Sequence, residues 1–221
     1  MTNPDIFQQV LSQISRIRTI CSQKDWNLKQ DLIIDRAATI EEVNKIENQL
    51  GFKLPPDYKE LFLTFAKRLD FSYQFDKRHP DEFNGIFSGE ISWDLDALPE
   101  MHEQYLLWVE ASLMPEYNDP EAIEITRQNW MQKVPLLSVP NGDLILIGDA
   151  PSEVMYFSHE GDKMHGKILG SSLFEFLEFH SRVGFIGSED WQFEPFFNYQ
   201  ENKMETIGPK VDRFIKWHFE D

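Results

Sequence analysis

The chain has 221 residues, 41% of them hydrophobic and 14% aromatic, with 18 Phe and 6 Trp. It can bury a core, so a disordered chain is excluded, and its length suits one large domain or two small ones. A net charge of −17 argues against nucleic acid as a partner, and a single cysteine, Cys21, excludes an intramolecular disulfide or a cysteine-based zinc site.

The first nine residues lack the basic segment and apolar run of a signal peptide. No stretch approaches about 18 uninterrupted apolar residues, the length that spans a membrane. The expectation is a soluble, cytoplasmic protein.

Ile6, Phe7, Val10, Leu11, Ile14, Ile17 and Ile20 recur at three- and four-residue spacings. That pattern predicts an amphipathic helix from Pro4 to Ser22. Leu28 to Ile34 reads as a linker or a short strand. Thr39 and Glu42 form a capping box, opening a helix that Gly51 stops. Pro55-Pro56 then opens a helix over Asp57 to Lys67. Phe71, Tyr73 and Phe75 alternate like a strand, and Ile86 to Trp93 is another candidate. Leu95 to Leu113 reads as a helix with Asp96 at its N-cap. Asp119-Pro120-Glu121 starts one more, running to Gln132.

From Val134 the period changes. Val134–Val139, Leu144–Ile147, Val154–Phe157 and Met164–Leu169 are short apolar runs. Asn141-Gly142 and Gly161-Asp162 supply turns between them. This predicts an antiparallel β-meander. Ser171 or Ser172 then caps a helix bearing Leu173, Phe174, Phe176, Leu177 and His180, and Gly184 ends it. The aromatic segment Trp191 to Phe197 is expected to fold back over the sheet. A last helix spans Pro209 to Phe219. The fold class is α+β: a single domain in which the antiparallel meander packs with several helices. Residues 1–35 read as an N-terminal helical arm and 36–221 as the α+β domain.

Two segments together resemble the SUKH superfamily, the Smi/Knr-like family. The first runs from Ile46 to Leu61, with Leu50-Gly51, then Leu54-Pro55, then Tyr58 four residues after Leu54. The second, Val134 to Glu178, resembles the family's later half. It has a Pro-containing strand, a Gly142-Asp143 turn, a strand with Val154-Met155-Tyr156 running toward His159, and a Ser-capped Phe/Leu helix. The resemblance covers roughly Thr39 to His180. Where many members carry Asn-Gly after the Tyr helix, this chain reads Ala66-Lys67-Arg68-Leu69-Asp70, and the N-terminal arm is extra to the family core. The resemblance implies a protein-binding function. Bacterial members are frequently immunity proteins that neutralise a toxin, often a nuclease. Eukaryotic relatives act in cell-wall regulation through protein contacts. The family has no agreed catalytic residues to carry over.

Nothing organised for catalysis emerges from the residues themselves. There is no His-Glu-x-x-His, Gly-x-Ser-x-Gly, Walker or Rossmann motif among the sequence's glycines and its histidines (His79, His102, His159, His165, His180, His218). His159 and His165 flank a turn and could hold a metal with Glu160 or Asp162, but a hairpin offers only two imidazoles and no third ligand. Asp94-x-Asp96 can hold a divalent ion, but Asp96 is as easily a helix cap. His180, beside Phe176 and Leu177, reads as a packed histidine. No cofactor is implied, and the reading is non-enzymatic.

Charge distribution carries the most functional content. Residues 1–80 hold 12 Lys/Arg against 11 Asp/Glu, whereas residues 81–221 hold 9 against 27. No Lys or Arg lies between Arg78 and Arg127. Asp81, Glu82, Glu90, Asp94, Asp96, Glu100 and Glu103 are therefore the candidate partner-binding residues. Trp93, Tyr105 and Trp108 in the same stretch are either aromatic anchors or core. A negative face of this kind occupies a nuclease's phosphate-binding cleft and steers association. The expected partner is a basic, nuclease-type cognate toxin. The alternatives are an intracellular regulator or scaffold that binds endogenous proteins, a metal enzyme using Asp94 and Asp96, or plain solubility.

Overall fold

Residues 3–76, 80–116, 118–148 and 152–220 are described by a computed structural model. Arg78 and His79 lie outside them. Helix α1 spans Asn3–Lys24 and buries Ile6, Phe7, Val10, Ile14, Ile17, Ile20 and Cys21, the stripe that the three- and four-residue spacing defines. It packs chiefly on a helix near the other end of the chain, α6 (Leu173–Arg182). Phe7 stacks on Phe65 at 4.4 Å and meets Phe174 edge-on at 5.9 Å.

Strand β1 (Asn27–Ile34) follows and is a full strand rather than a linker. It pairs antiparallel with β2 (Arg68–Gln74), which pairs antiparallel with β3 (Ser88–Asp94). Leu69, Phe71 and Tyr73 of β2 and Ile91 and Trp93 of β3 are buried on one face. The alternation places Asp70, Ser72, Glu90, Ser92 and Asp94 on the other.

Helices α2 (Ile40–Leu50) and α3 (Pro56–Thr64) join β1 to β2. The Thr39–Glu42 capping box is complete, and Gly51 takes the left-handed conformation at φ 80°. Glu47 is buried, yet it accepts from Lys53 at 2.6 Å, Lys59 at 3.2 Å and the Leu54 amide at 3.2 Å. It ties the Gly51–Pro55 corner to α2. Burial pushes the Glu47 carboxyl up, but these bonds outweigh it and hold it below the usual range.

Helix α4 (Leu98–Ser112) starts later than the sequence suggests, with Pro99 in its first turn. Asp96 does not cap it; its amide donates to Asp94 Oδ1 at 2.9 Å. Helix α5 (Pro120–Asn129) is capped by Asp119 as expected.

The second sheet has the order β4-β5-β6-β7-β9-β8. Strands β4 (Val134–Ser138), β5 (Leu144–Ile147), β6 (Val154–Phe157) and β7 (Ile168–Gly170) form the antiparallel meander. Its last strand is shorter than expected, because residues 163–166 turn. The Trp191 segment becomes α7 (Asp190–Phe193), a 3₁₀ turn and β8 (Phe197–Asn198). It returns through β9 (Lys203–Met204), which pairs parallel with β7. Helix α8 (Pro209–Phe219) closes the chain.

Strand β5 is buried on both faces, which explains an apolar run without alternation. Ile145 and Ile147 face the main core, while Leu144 and Leu146 join Tyr105, Val109, Trp130, Met155 and Phe157 under α4 and α5. Strand β3 meets the segment that follows α6 at Gly89, which forms a bridge to Ile186. A Cβ there would lie 2.4 Å from the Tyr73 ring and 2.6 Å from the Gly184 carbonyl. Its absence lets the Glu90 amide reach the Phe185 carbonyl at 2.6 Å.

Candidate functional site

The structure distributes the candidate carboxylates over a 3₁₀ turn, β3, α4 and the turn between the last two. Glu90 and Asp94 share the polar face of β3, with Asp70 across on β2. They line a hollow of about 200 Å³ with Ser72, Ser92 and Ser138, floored by Met101 and Leu137. A second hollow of about 220 Å³ shares Ser72 and Glu90 and continues toward Ser188 and Glu189. The two make one trough along the sheet.

Its carboxylates are electrostatically crowded. Burial, and then repulsion from Asp70, pushes the Glu90 carboxyl above the usual range against a hydrogen bond from Ser188. Burial also raises Asp70, which Arg68 pulls down and Asp94 pushes up. Glu189 is raised by burial and by Asp143, Asp190 and Glu90. Arg68 lies 3.8 Å from Asp70 and 3.6 Å from Asp94.

Asp96 is held by Lys67 at 2.7 Å, and the same lysine reaches Glu42 at 3.3 Å. Asp81 and Glu82 sit on a 3₁₀ turn, where Arg213 of α8 clamps Glu82 through two bonds of 2.8 and 2.9 Å. Glu100 and Glu103 stand exposed on α4, without an ion pair among the described residues.

Of the aromatic candidates, Trp93 and Tyr105 are core. The Trp93 indole donates to the Ala66 carbonyl at 3.1 Å, and the Tyr105 hydroxyl donates to the Trp130 carbonyl. Trp108 is half-buried and packs on His159 at 4.8 Å.

His159, His165 and His180 have structural hydrogen-bond partners. His159 donates through Nδ1 to buried Asp143 at 2.7 Å. The His165 ring lies 2.8 Å from the Ser158 carbonyl, and His180 binds the Ile186 carbonyl at 2.9 Å while burial lowers its pKa to about 4. Among the described residues, no group of three or more His, Cys, Asp or Glu stands close enough to hold a metal ion. Burial pushes the Cys21 thiol up to about 11, which leaves it a core residue without thiolate reactivity. Among the described residues, no helix is long and apolar enough to cross a membrane.

Sequence reasoning missed the roles of Glu47 and Asp143. Glu47 was visible as a carboxylate on the stripe of Val43, Ile46 and Leu50. Asp143 was visible directly after the Asn141-Gly142 turn.

Residues 37–178, well over half of the chain, match the family model described as the SMI1 / KNR4 family (SUKH-1). The match starts just after β1 and ends within α6. Neither the curated proteins nor the solved structures contain a match to the chain.

Proposed function

Because the chain belongs to the SMI1 / KNR4 family (SUKH-1), a family of immunity and cell-wall regulatory proteins that act through protein contacts, we propose that it is a non-enzymatic immunity protein that binds and neutralises a basic, nuclease-type toxin. The observation that carries this reading is the set of carboxylates that make no ion pair among the described residues. Glu90 lies half-buried in the trough, and Glu100 and Glu103 are exposed on α4. A nuclease holds phosphate in a positive cleft. Carboxylates placed on a rigid sheet and helix compete for that cleft, and the net charge of −17 steers the encounter. Asp81 is exposed on its 3₁₀ turn, while Glu82, Asp94 and Asp96 are already engaged by Arg213, Arg68 and Lys67 and contribute less to this reading.

The test has two steps. Tagged protein is expressed in its source cells and washed at low and high salt, and retained proteins are identified by mass spectrometry. One stoichiometric basic protein, released at high salt, is expected. Expressed alone, that protein should arrest growth, and co-expression of this chain should restore it. Growth arrest that persists on co-expression would refute the proposal. Retention of several abundant cellular proteins instead would favour the regulator reading.

A further inference from the structure

The outward face of α4 is not required by the fold. Tyr105 and Val109 hold the helix on the second sheet. On the other side Leu106, Leu107 and Met114 are 42%, 66% and 44% exposed. With Glu103 and Glu110 they recur at three- and four-residue intervals, so they form one stripe, which continues from the helix onto the residues just after it.

A solvated helix places Lys or Arg one turn from each Glu, worth about 0.2–0.5 kcal/mol per pair. Here the positions three and four residues from Glu103 and Glu110 hold Pro99, Glu100, Leu106, Leu107, Leu113 and Met114. Glu110 also lies in the last turn, where the helix dipole disfavours an anion and no basic residue offsets it. Neither glutamate makes an ion pair among the described residues. Local stability selects against each of these choices.

We infer that this face of α4 is a docking surface for a basic amphipathic segment of a partner protein, whose apolar side chains cover Leu106, Leu107 and Met114 while its Lys or Arg residues pair with Glu103 and Glu110. Charge complementarity selects this occupant. A second copy of the chain, docked face to face, would set the same unpaired glutamates against each other. The inference rests on the protein-binding reading above, but not on toxin neutralisation.

The probe is a synthetic amphipathic Leu/Lys helical peptide, titrated against the full chain by fluorescence anisotropy at physiological salt. A Ser/Lys peptide of equal charge is the control. The Leu/Lys peptide should bind at least tenfold more tightly than the control. Leu107→Asp should weaken it tenfold or more, although that change adds negative charge, and the double variant Glu103→Gln/Glu110→Gln should weaken it and flatten its salt dependence. All three sites are exposed, and circular dichroism checks that the variants fold.

Unchanged or tighter peptide binding by Leu107→Asp would overturn the inference, because charge alone would then explain binding. A wild-type dimer in sedimentation that Leu107→Asp dissociates would also overturn it, making the face a self-interface. Growth protection by Leu107→Asp equal to that of wild type would remove this face of α4 from the toxin contact, and the immunity proposal would then rest on Glu90 and the trough. Peptide binding confined to an intact α4 face, with no toxin found, would sustain the docking surface alone.

Discussion

Replacing Asp143 with alanine tests how the β4–β5 turn is locked to the strand end after β6. Asp143 is 1% exposed. Its carboxylate accepts from the Asn141 side chain at 2.8 Å, the Tyr156 hydroxyl at 2.8 Å, the His159 amide at 2.9 Å and His159 Nδ1 at 2.7 Å. Alanine leaves the Tyr156 hydroxyl and the His159 amide without an acceptor in a dry site. Each unmatched buried donor costs about 1–3 kcal/mol, whereas the more exposed Asn141 amide recovers water. The expected loss is therefore about 2–6 kcal/mol, a large part of the ~5–15 kcal/mol that stabilises an ordinary domain. Asp143→Asn keeps one acceptor oxygen but points an N–H₂ group at donors, so it should cost about half as much.

Urea unfolding followed by tryptophan fluorescence reads this directly, since Trp108 lies on His159. The pH dependence gives a second readout. Burial pushes the Asp143 carboxyl up, but bonds from His159, Tyr156 and Asn141 outweigh it and hold it below the usual range. A depressed carboxyl stabilises the fold above its unfolded pKa of about 4, and that contribution is lost as pH falls through the folded value. Wild type should therefore lose stability more steeply than Asp143→Asn on acidification below about pH 4. A loss under about 1 kcal/mol for Asp143→Ala, at unchanged urea dependence, would refute the reasoning.

Three further outcomes follow from the packing. Ile17 is fully buried in α1, so Ile17→Ala should cost about 2–5 kcal/mol in a single unfolding transition; a separate early transition would show α1 to be an independent arm. Gly89→Ala drives a methyl into the Tyr73 ring and the Gly184 backbone, and should lower the melting temperature by an amount equivalent to about 1–3 kcal/mol; an unchanged melting temperature would contradict the close approach. Glu90→Gln should raise stability at pH 7 by up to about 1 kcal/mol, or about 2–4 °C. Because the Glu90 carboxyl is raised in the fold, that gain should vanish below about pH 4, where wild type is protonated folded and unfolded.

Local chemistry made much of the fold legible. The Thr39–Glu42 box, Gly51, Asp119 and Ser172 each cap a helix through bonds within a few residues, and Gly142 takes the positive φ its turn requires. Legibility failed where partners lie far apart. Asp96 reads as an N-cap, but Lys67 engages it and Pro99 marks the true helix start. The parallel β7–β9 step depends on the two-residue strand Lys203–Met204, too short to show a period. The same distance problem governs the acidic stretch. Glu82 is neutralised by Arg213, more than a hundred residues away, so counting charges along the chain cannot separate engaged carboxylates from free ones.

That separation bears on why the trough holds the carboxylates it does. Serine or threonine would suit the half-buried face of β2 and β3 without repulsion, as Ser72 and Ser92 show. Instead Asp70 and Glu90 sit where burial raises both, with Asp94 adding to the rise of Asp70 and Asp70 to that of Glu90. Arg68 offsets the rise of Asp70 only in part, and a Ser188 hydrogen bond that of Glu90 only in part; a local rule broken with incomplete compensation marks a candidate for function. The penalty is electrostatic and partly screened, so added salt should raise the melting temperature of wild type and do so less for Glu90→Gln. An equal rise in both proteins would mean that the repulsion resides elsewhere than in the trough, and the case for the trough as a candidate binding site would lose this support.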